Sequence, residues 1–405
     1  MKMWFIVILI ILTMLPISVS AEKNLFAADD PNIKYIGRWI KNEDGFMEGS
    51  FECSAVIRFT GTSLTLAAKS NYDFIYVRVD GGECTQVSGS RRLARGLSQG
   101  EHTLEIFASA QKAFPIISGI ELDEGAKLLP AEDKPVIEFI GDSILQGYTV
   151  ENSGAMYSYG SFVADNLGFY RNIVAFGGLA VVEGYGGPDN YGIIKRYSMR
   201  KEYTPEAPES EPWDHSKFVP DYVVINLGTN DSSSPSKEFE ETYSAFLKQL
   251  RNYYKDAKIF VMVPFNGTKK AEITRAFNAN KDENTFLIES NKWLIPKGKD
   301  ALHPDNNGHK IIANKLTPVL QELLATPDPN ATQAPTNTSA PNTQTPNNDD
   351  SQQSVDASAT PTASADNNGK TENNNNGFIV PLIVGAVVIV AIAIGVIIFI
   401  KKKTA

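Results

Sequence analysis

The residue types that most often bind metals or form cross-links are scarce in this sequence. Of its 405 residues two are cysteine, Cys53 and Cys84, and four are histidine. No cluster of histidine and cysteine has the spacing of metal ligands, so the sequence predicts neither a metal site nor a cofactor. Two cysteines allow at most one disulfide, which an exported chain would permit, and two buried free thiols are an equally good interpretation.

Positive charge is limited as well. The chain has 38 Lys and Arg against 47 Asp and Glu, which gives a formal net charge of -9, and its one lysine-rich block lies at residues 401–403. A nucleic-acid partner requires a basic surface, so we expect no nucleic-acid binding. We also expect the protein to be a monomer.

Both ends of the chain carry apolar segments, and these differ in length. Residues 1–21 combine a lysine, an apolar stretch at 3–17 and a small-residue cleavage site after Ala21, which is typical of a signal peptide. The alternative, a membrane anchor, requires about 20 apolar residues. Residues 378–400 contain no charge and as a helix would cover about 35 Å, so we predict a transmembrane helix there. Lysines favour the inner side of a membrane, which makes residues 401–405 a cytoplasmic tail.

Residues 326–377 are rich in Pro, Thr, Ser and Asn and have almost no large apolar side chain. Such a segment cannot bury enough surface to fold, so we predict a disordered stalk. Together with the two ends, the stalk predicts a single-pass membrane protein of the cell surface. Its N-terminal domains would then be extracellular.

The segment 22–130 has an apolar pattern with a period of two. Apolar residues alternate with polar ones, for example at Ala55, Ile57 and Phe59, and turn signals such as DGG at 80–82 recur about every ten residues. This pattern predicts an all-β sandwich of the jelly-roll type.

The segment 131–325 alternates between candidate strands and candidate helices. Apolar runs that resemble buried strands occur at 136–140, 172–176, 222–227, 258–263 and 285–288. Strands that alternate with helices predict an α/β domain, in which a parallel sheet is covered by helices on both faces.

Three polar motifs border these elements. GDS at 141–143 ends the first strand, GTND at 228–231 follows the third, and DALHP at 300–304 precedes the last helix. GDS alone is a common turn sequence, and its weight comes from its occurrence with the other two motifs. Ligands gather at the carboxyl ends of parallel strands, so we expect the three motifs to meet at one edge of the sheet.

The motifs supply the residues of a serine nucleophile. Ser143 needs a neighbouring base, and His303 can accept its proton and return it to the leaving group. Asp300 lies three residues earlier and can fix the tautomer of the imidazole. The other histidines, which we interpret as structural or surface groups, are His102, His215 and His309.

Negative charge that develops on a substrate oxygen requires fixed donors. The candidates are the amides of Ser143 and Gly178 and the side chain of Asn230. A strand-end turn is the alternative interpretation of the glycine, and a turn-capping role that of the asparagine.

The connection 181–220 is long and contains several aromatic residues. Rings in such a loop could stack on sugars, and we single out Tyr185 and Trp213 there and Trp293 further along the chain. Ordinary packing of a large loop is an equally good interpretation of the tyrosine.

The order of GDS, a strand-end glycine, GTND and DALHP resembles that of the four signature blocks of the SGNH (GDSL-type) hydrolases. The resemblance implies a flavodoxin-like three-layer α/β/α domain that cleaves esters without a metal. It also implies that Ser143 is the nucleophile, His303 the base, Asp300 its partner, and Gly178 and Asn230 oxyanion donors. The preceding β-domain makes the chain similar to carbohydrate esterase family 2, which removes acetyl groups from wall polysaccharides.

The sequence therefore predicts a cell-surface serine esterase that hydrolyses O-acetyl esters on a polysaccharide of the xylan or glucomannan type. One alternative is a lipase or lysophospholipase of the same superfamily. The other is a carbohydrate-binding surface protein without catalytic activity.

Overall fold

The computed structural model describes residues 24–50, 52–108, 115–148, 154–187, 191–200 and 211–325. This part of the chain contains antiparallel sheets in its N-terminal region and one parallel sheet with helices after them. Four predicted segments, the signal peptide (1–21), the stalk (326–377), the transmembrane helix (378–400) and the cytoplasmic tail (401–405), lie outside these described residues. Within the described ranges no helix combines the length and the apolar character needed to cross a membrane.

The N-terminal region is built of short, mostly antiparallel strands. Their bounds are β1 (Asn24–Ala27), β2 (Ile33–Ile36), β3 (Trp39–Lys41), β4 (Met47–Gly49), β5 (Ser54–Gly61), β6 (Leu64–Leu66), β7 (Ile75–Val79), β8 (Thr85–Val87), β9 (Arg92–Ala94), β10 (Gly100–Ala108), β11 (Ile116–Ile117), β12 (Gly119–Leu122) and β13 (Leu128–Leu129). One sheet has the order β1-β12-β6-β9, and a second has β13-β5-β10-β7-β8 with β2 also paired to β5. A third, small sheet has the order β11-β4-β3.

The alternation in the sequence matches the side chains that fill the space between the two larger sheets. Ile57 and Phe59 of β5 pack in one cluster with Leu66 of β6 and Ile120 of β12. Val56 points away from that cluster and is nevertheless buried, because the second domain covers part of the outer face of this sheet. The predicted β-sandwich is therefore confirmed, with one sheet partly covered on its outer face.

The second region alternates strands with helices. The strands are β14 (Val136–Gly141), β15 (Tyr170–Ala175), β16 (Tyr222–Asn226), β17 (Lys258–Met262) and β18 (Thr285–Ile288). The helices are α1 (Tyr159–Leu167), α2 (Gly192–Tyr197), α3 (Ser236–Tyr253), α4 (Lys270–Asn280) and α5 (Asn306–Ala325), with short 3₁₀ turns at Ala155–Tyr157, His215–Lys217 and Ser290–Lys292.

All five strands of this sheet run parallel, in the order β15-β14-β16-β17-β18. This is the flavodoxin-like order. Side chains of α1 and α5, such as Val163 and Ile312, pack on one face of the sheet. Side chains of α2, α3 and α4, such as Ile193 and Phe246, pack on the other. The predicted three-layer α/β/α domain is confirmed.

Apolar contacts and the buried Arg38 are among the contacts that join the two domains. Ile36 and Val56 of the β-domain pack against Val136 and Tyr170 of the α/β domain. Arg38, which is 1% exposed, reaches across and donates hydrogen bonds to two backbone carbonyls at the end of α2. The β-domain therefore helps to hold the connection between β15 and β16 at the end of α2.

A buried glutamate on strand β14 belongs to the same contact region. Glu138 accepts hydrogen bonds from the amide of Asn172, at 2.6 Å, and from the hydroxyl of Tyr197. That hydroxyl lies 2.9 Å from the hydroxyl of Tyr254, which is 3.0 Å from Nδ1 of His215. Burial raises the pKa of Glu138 and lowers that of His215 to about 3, so the imidazole is neutral in this polar cluster.

Both cysteines are free thiols in the structure. Cys53 is buried and Cys84 is half-buried. The sequence left open a disulfide or two buried free thiols. The structure has two free thiols, of which one is fully buried.

Candidate active site

The order of the parallel strands explains why three remote motifs share one place. Ser143, Gly178 and Asn230 each follow shortly after the carboxyl end of a strand, β14, β15 and β16 respectively. Strand β14 lies between the other two in the sheet. The segments that leave these strands therefore emerge side by side at the edge where ligands bind in such sheets.

Three side chains form a continuous hydrogen-bonded chain at this edge. Nε2 of His303 lies 2.7 Å from Oγ of Ser143, and Nδ1 of His303 lies 2.6 Å from Oδ2 of Asp300. Ser143 is 9% exposed and His303 is 7% exposed. The arrangement has the geometry in which a histidine takes a proton from a serine hydroxyl while a carboxylate orients the ring.

The loop that carries His303 is closed by its own backbone. The other carboxylate oxygen of Asp300 accepts hydrogen bonds from the N–H groups of Leu302, at 3.0 Å, and His303, at 2.9 Å. The N–H of Gly298 donates to the carbonyl of His303, and Ala301 adopts a left-handed conformation with φ of 57°. The hydrogen bonds that the Asp300 carboxylate accepts, first of all the one from the His303 side chain, lower its pKa to about 2. The carboxylate is therefore ionised throughout the neutral range.

The GTND motif after β16 holds the segment after β15 in place through hydrogen bonds. Nδ2 of Asn230 donates to the carbonyl of Leu179 at 2.9 Å, which uses one of its two hydrogens and sets the direction of the amide. The buried carboxylate of Asp231 accepts hydrogen bonds from the N–H groups of Val181 and Val182. Gly178 has φ of 71°, a left-handed conformation that favours glycine. The candidate oxyanion residues are thus held relative to each other by contacts between the two motifs.

Asp142 is the second buried carboxyl group of the site. It is 2% exposed, and Oδ1 accepts a hydrogen bond from the N–H of Ile144 at 3.0 Å. Burial raises its pKa to about 6. The hydrogen bond from Ile144 and the nearby Thr229 hydroxyl lower the pKa, but by less than burial raises it. The turn that presents Ser143 therefore contains an acid with an unusually high pKa.

A small pocket of about 60 Å³ opens beside these residues. Its wall contains a sequence neighbour of each of the three central residues: Ile144 next to Ser143, Thr229 next to Asn230, and both Leu302 and Pro304 next to His303. The rest of the wall is formed by Phe265, Asn266, Trp293, Ile295 and Lys297. The pocket is mostly apolar and has room for a group of a few heavy atoms.

The predicted aromatic residues have different positions. Trp293 lines the pocket, with its ring centroid 6.2 Å from that of Phe265. Tyr185 is half-buried and packs against the hydrophobic core on the α3 side of the sheet. Trp213 is only 6% exposed, and its backbone N–H donates to the carbonyl of Ser198, directly after α2. The expectation that Trp213 presents a ring face to a sugar is therefore corrected.

The sequence analysis overlooked Tyr148. This residue is 57% exposed, and its ring centroid lies 4.8 Å from that of His303. Its N–H bonds to the carbonyl of Ser143, which closes the turn after the nucleophile. The signal in the sequence was an aromatic residue directly after Gly147, where a short helical turn must end. Leu302 is a second exposed apolar residue beside His303.

The other histidines have structural contacts, as the sequence analysis assumed. His102 lies in the β-domain, 2.7 Å from Oδ2 of Asp80 and 2.8 Å from the carbonyl of Ser98. Nδ1 of buried His309 accepts the N–H of Tyr159, and burial lowers the pKa of His309 to about 4. In the described part of the chain no group of three or more His, Cys, Asp and Glu is arranged to hold a metal ion.

Comparisons with known proteins agree with this architecture. The model of the GDSL-like lipase/acylhydrolase family matches residues 139–311, and the model of the carbohydrate esterase 2 N-terminal domain matches residues 35–131. The α/β domain thus matches the GDSL-like hydrolases, and the β-domain matches the N-terminal domain of carbohydrate esterase family 2. Together they give the domain pair of that esterase family.

Two curated relatives align over most of the described residues. The cellulase/esterase CelE of Acetivibrio thermocellus is 28% identical over 73% of this chain and 40% of its own length. The acetylxylan esterase / glucomannan deacetylase of Cellvibrio japonicus is 24% identical over 76% of this chain and 93% of its own length. The chain thus spans less than half of the first relative and nearly all of the second.

Two solved structures have the same fold. A family two carbohydrate esterase from Cellvibrio japonicus aligns with a TM-score of 0.65 and 23% identity, over 75% of this chain and 98% of that one. A family two carbohydrate esterase from Clostridium thermocellum, solved in complex with cellohexaose, aligns with a TM-score of 0.60 and 27% identity, over 72% of this chain and 99% of that one.

Proposed function

We propose that this protein is a cell-surface serine esterase that removes acetyl groups from a polysaccharide of the xylan or glucomannan type. The observation that carries the proposal is the hydrogen-bonded chain Ser143–His303–Asp300 beside a pocket of about 60 Å³. The three hydrogen-bonded residues supply a nucleophile, and the pocket limits the size of the acyl group whose carbonyl carbon the nucleophile can attack.

In the first half of the reaction, Oγ of Ser143 attacks the carbonyl carbon of the ester. Nε2 of His303 takes the hydroxyl proton, and the Asp300 carboxylate stabilises the imidazolium that results. The carbonyl oxygen becomes an oxyanion, for which the amides of Ser143 and Gly178 and the second hydrogen of Asn230 Nδ2 are the donors.

Collapse of this intermediate breaks the bond between the acyl carbon and the sugar oxygen. His303 returns its proton to that oxygen, so the sugar leaves as an alcohol and the acetyl group remains on Ser143. A water molecule then attacks the acetyl-enzyme with His303 again as the base. Acetate is released and the serine hydroxyl is restored.

The pocket supports a short acyl group. An acetyl methyl group matches a mostly apolar space with room for a few heavy atoms, whereas a fatty acyl chain would extend far beyond the walls formed by Phe265, Trp293 and Ile295. The exposed ring of Tyr148 lies beside His303, where the sugar would leave.

The relatives support a polysaccharide as the source of the acetyl group. One carries the name acetylxylan esterase / glucomannan deacetylase, and another family two esterase binds cellohexaose in its crystal structure. We extend this substrate class to the present chain, together with the extracellular location that the signal peptide, stalk and transmembrane helix predict.

The test is the dependence of hydrolysis on acyl length and on Ser143. The full-length chain is purified in detergent and assayed on p-nitrophenyl esters from acetate to octanoate and on acetylated xylan and glucomannan. We expect the rate to be highest on acetate and to fall steeply beyond propionate, and Ser143→Ala to remove it. An optimum at octanoate would instead assign the protein to the lipases, and binding of glycan without turnover would assign it to the non-catalytic proteins.

A further inference from the structure

A groove on the β-domain is lined by three arginines. Arg91, Arg92 and Arg95 surround it together with Thr65 and the Gly89-Ser90 turn, and its volume is about 540 Å³. The chain as a whole has a net charge of -9, so composition does not account for three cations at one groove. All the lining residues belong to the β-domain, whereas the candidate catalytic residues belong to the α/β domain.

Arg92 is the first residue of strand β9, and Arg91 and Arg95 flank that strand. Leu93 and Ala94 of β9 are buried in the core of the β-domain, whereas Arg92 and Arg95 are exposed on either side of them. Strand β9 is at the edge of its sheet, and its pairing with β6 contains a register shift. A shift of this kind bends a strand and redirects its side chains, so the position of both guanidinium groups starts from a defined backbone.

Two of the three positive charges lack a counter-charge. Arg92 and Arg95 form no ion pair with any carboxylate of the described ranges, whereas Arg91 donates to the carbonyl of Leu66 at 3.2 Å and lies 4.0 Å from Glu121. Arg91 therefore has a structural role at this edge. The charges of Arg92 and Arg95 are available to a ligand.

The chemistry of the groove selects the class of ligand. A guanidinium group presents planar paired donors that fit the two oxygens of a carboxylate, and its charge makes such hydrogen bonds strong. The hydroxyls of Thr65 and Ser90 lie in the same wall and suit the hydroxyls of a sugar. We propose that this groove binds the carboxylates of a polysaccharide that contains uronic acids, and so attaches the β-domain to an acidic glycan.

The experiment measures binding without turnover. The full-length chain with Ser143→Ala is titrated by calorimetry with polygalacturonate, with a neutral glucomannan and with polyphosphate. The same titrations are made with Arg92→Gln/Arg95→Gln added to that background. The matched control adds Lys237→Gln/Lys315→Gln, which removes the same charge from two exposed positions of the α/β domain.

We expect polygalacturonate to bind more tightly than polyphosphate, and Arg92→Gln/Arg95→Gln to raise its Kd at least about tenfold. The same variant should leave the Kd of the neutral glucomannan unchanged, because that polymer would bind at the candidate active site. The lysine control should change that Kd by less than about threefold, because distant exposed charges are screened. Full binding by the arginine variant, or an equal loss in the lysine control, would overturn the proposal. Tighter binding of polyphosphate, or an equal loss of glucomannan binding in the arginine variant, would overturn the assignment to uronates.

This inference is independent of the proposed esterase reaction. With Ser143 intact, Arg92→Gln/Arg95→Gln should hydrolyse p-nitrophenyl acetate at the wild-type rate. A protein that binds polygalacturonate but hydrolyses no ester would contradict the proposed function alone.

Discussion

The buried carboxyl group of Asp142 makes a pH-dependent prediction about stability. Its pKa of about 6 in the folded protein lies about two units above the ordinary value of 3.8. Between these two values the folded state binds more protons than the unfolded state, so the free energy of unfolding falls as the pH rises from about 4 to about 6. Two pKa units correspond to about 3 kcal/mol, which the protein has lost once the pH exceeds 6.

Asp142→Asn removes the charge and keeps the shape of the side chain. The asparagine oxygen can still accept the N–H of Ile144, and the new amide hydrogens can point to the hydroxyl of Thr229. We therefore expect the variant to match the wild type at pH 4 and to exceed it at pH 8 by up to about 3 kcal/mol in free energy of unfolding. Urea unfolding of the variant and of the wild type, followed by tryptophan fluorescence at pH 4, 6 and 8, measures the two free energies of unfolding.

Asp231→Asn is the matched control. Burial raises the pKa of this carboxyl group too, but its two oxygens accept hydrogen bonds from the N–H groups of Val181 and Val182 at 2.9 to 3.0 Å. An asparagine would turn one of these oxygens into a donor that faces a donor, so we expect a loss of roughly 1–3 kcal/mol. If the difference between Asp142→Asn and the wild type were the same at pH 4 and pH 8, the assignment of a raised pKa to Asp142 would be refuted.

Four further predictions concern single residues. Asn230→Ala should lower kcat for p-nitrophenyl acetate by about 10²–10³ with little change in KM, because it removes one oxyanion donor. Tyr148→Ala should raise KM for acetylated polysaccharide and leave kcat/KM for p-nitrophenyl acetate unchanged, whereas Tyr148→Phe should keep both; an equal loss on both substrates would contradict a sugar-binding role. Arg38→Met should lower the free energy of unfolding by roughly 3 kcal/mol in thermal denaturation, because it removes the donor of one buried and one part-buried carbonyl. Since the pKa of Asp300 is about 2, a pH–rate profile above pH 4 should show no loss of rate from protonation of this carboxylate, and Asp300→Asn should lower kcat across that whole range.

Most of the fold followed from local patterns in the sequence. A period of two near Ile57 indicates one buried face of a strand, and runs such as 136–140 indicate strands buried on both faces. Because parallel strands end at one edge of their sheet, the residues that follow them could be expected to converge. The adjacency of Ser143 and His303 therefore required only the strand pattern and the three motifs.

The loops were less predictable, and the aromatic residues demonstrate why. Trp213 and Tyr148 both occur in connections, yet the first is covered and the second is exposed next to His303. The chain that covers a loop residue is remote in sequence, so nothing in the local pattern distinguishes the two cases. The same holds for Arg38, whose carbonyl partners are about 160 positions away.

The sequence by itself determined the class of fold, the order of its domains and the identity of the three residues that form the hydrogen-bonded chain. Only the tertiary structure decided the volume of the pocket, the exposure of Tyr148 and the contrast between Asp142, with one backbone hydrogen bond, and Asp231, with three. The physical reason is the distance along the sequence over which each property is determined. Periodicity and strand-end motifs are short-range properties of the chain, whereas cavities, exposure and the desolvation of a carboxyl group depend on how separate segments pack together.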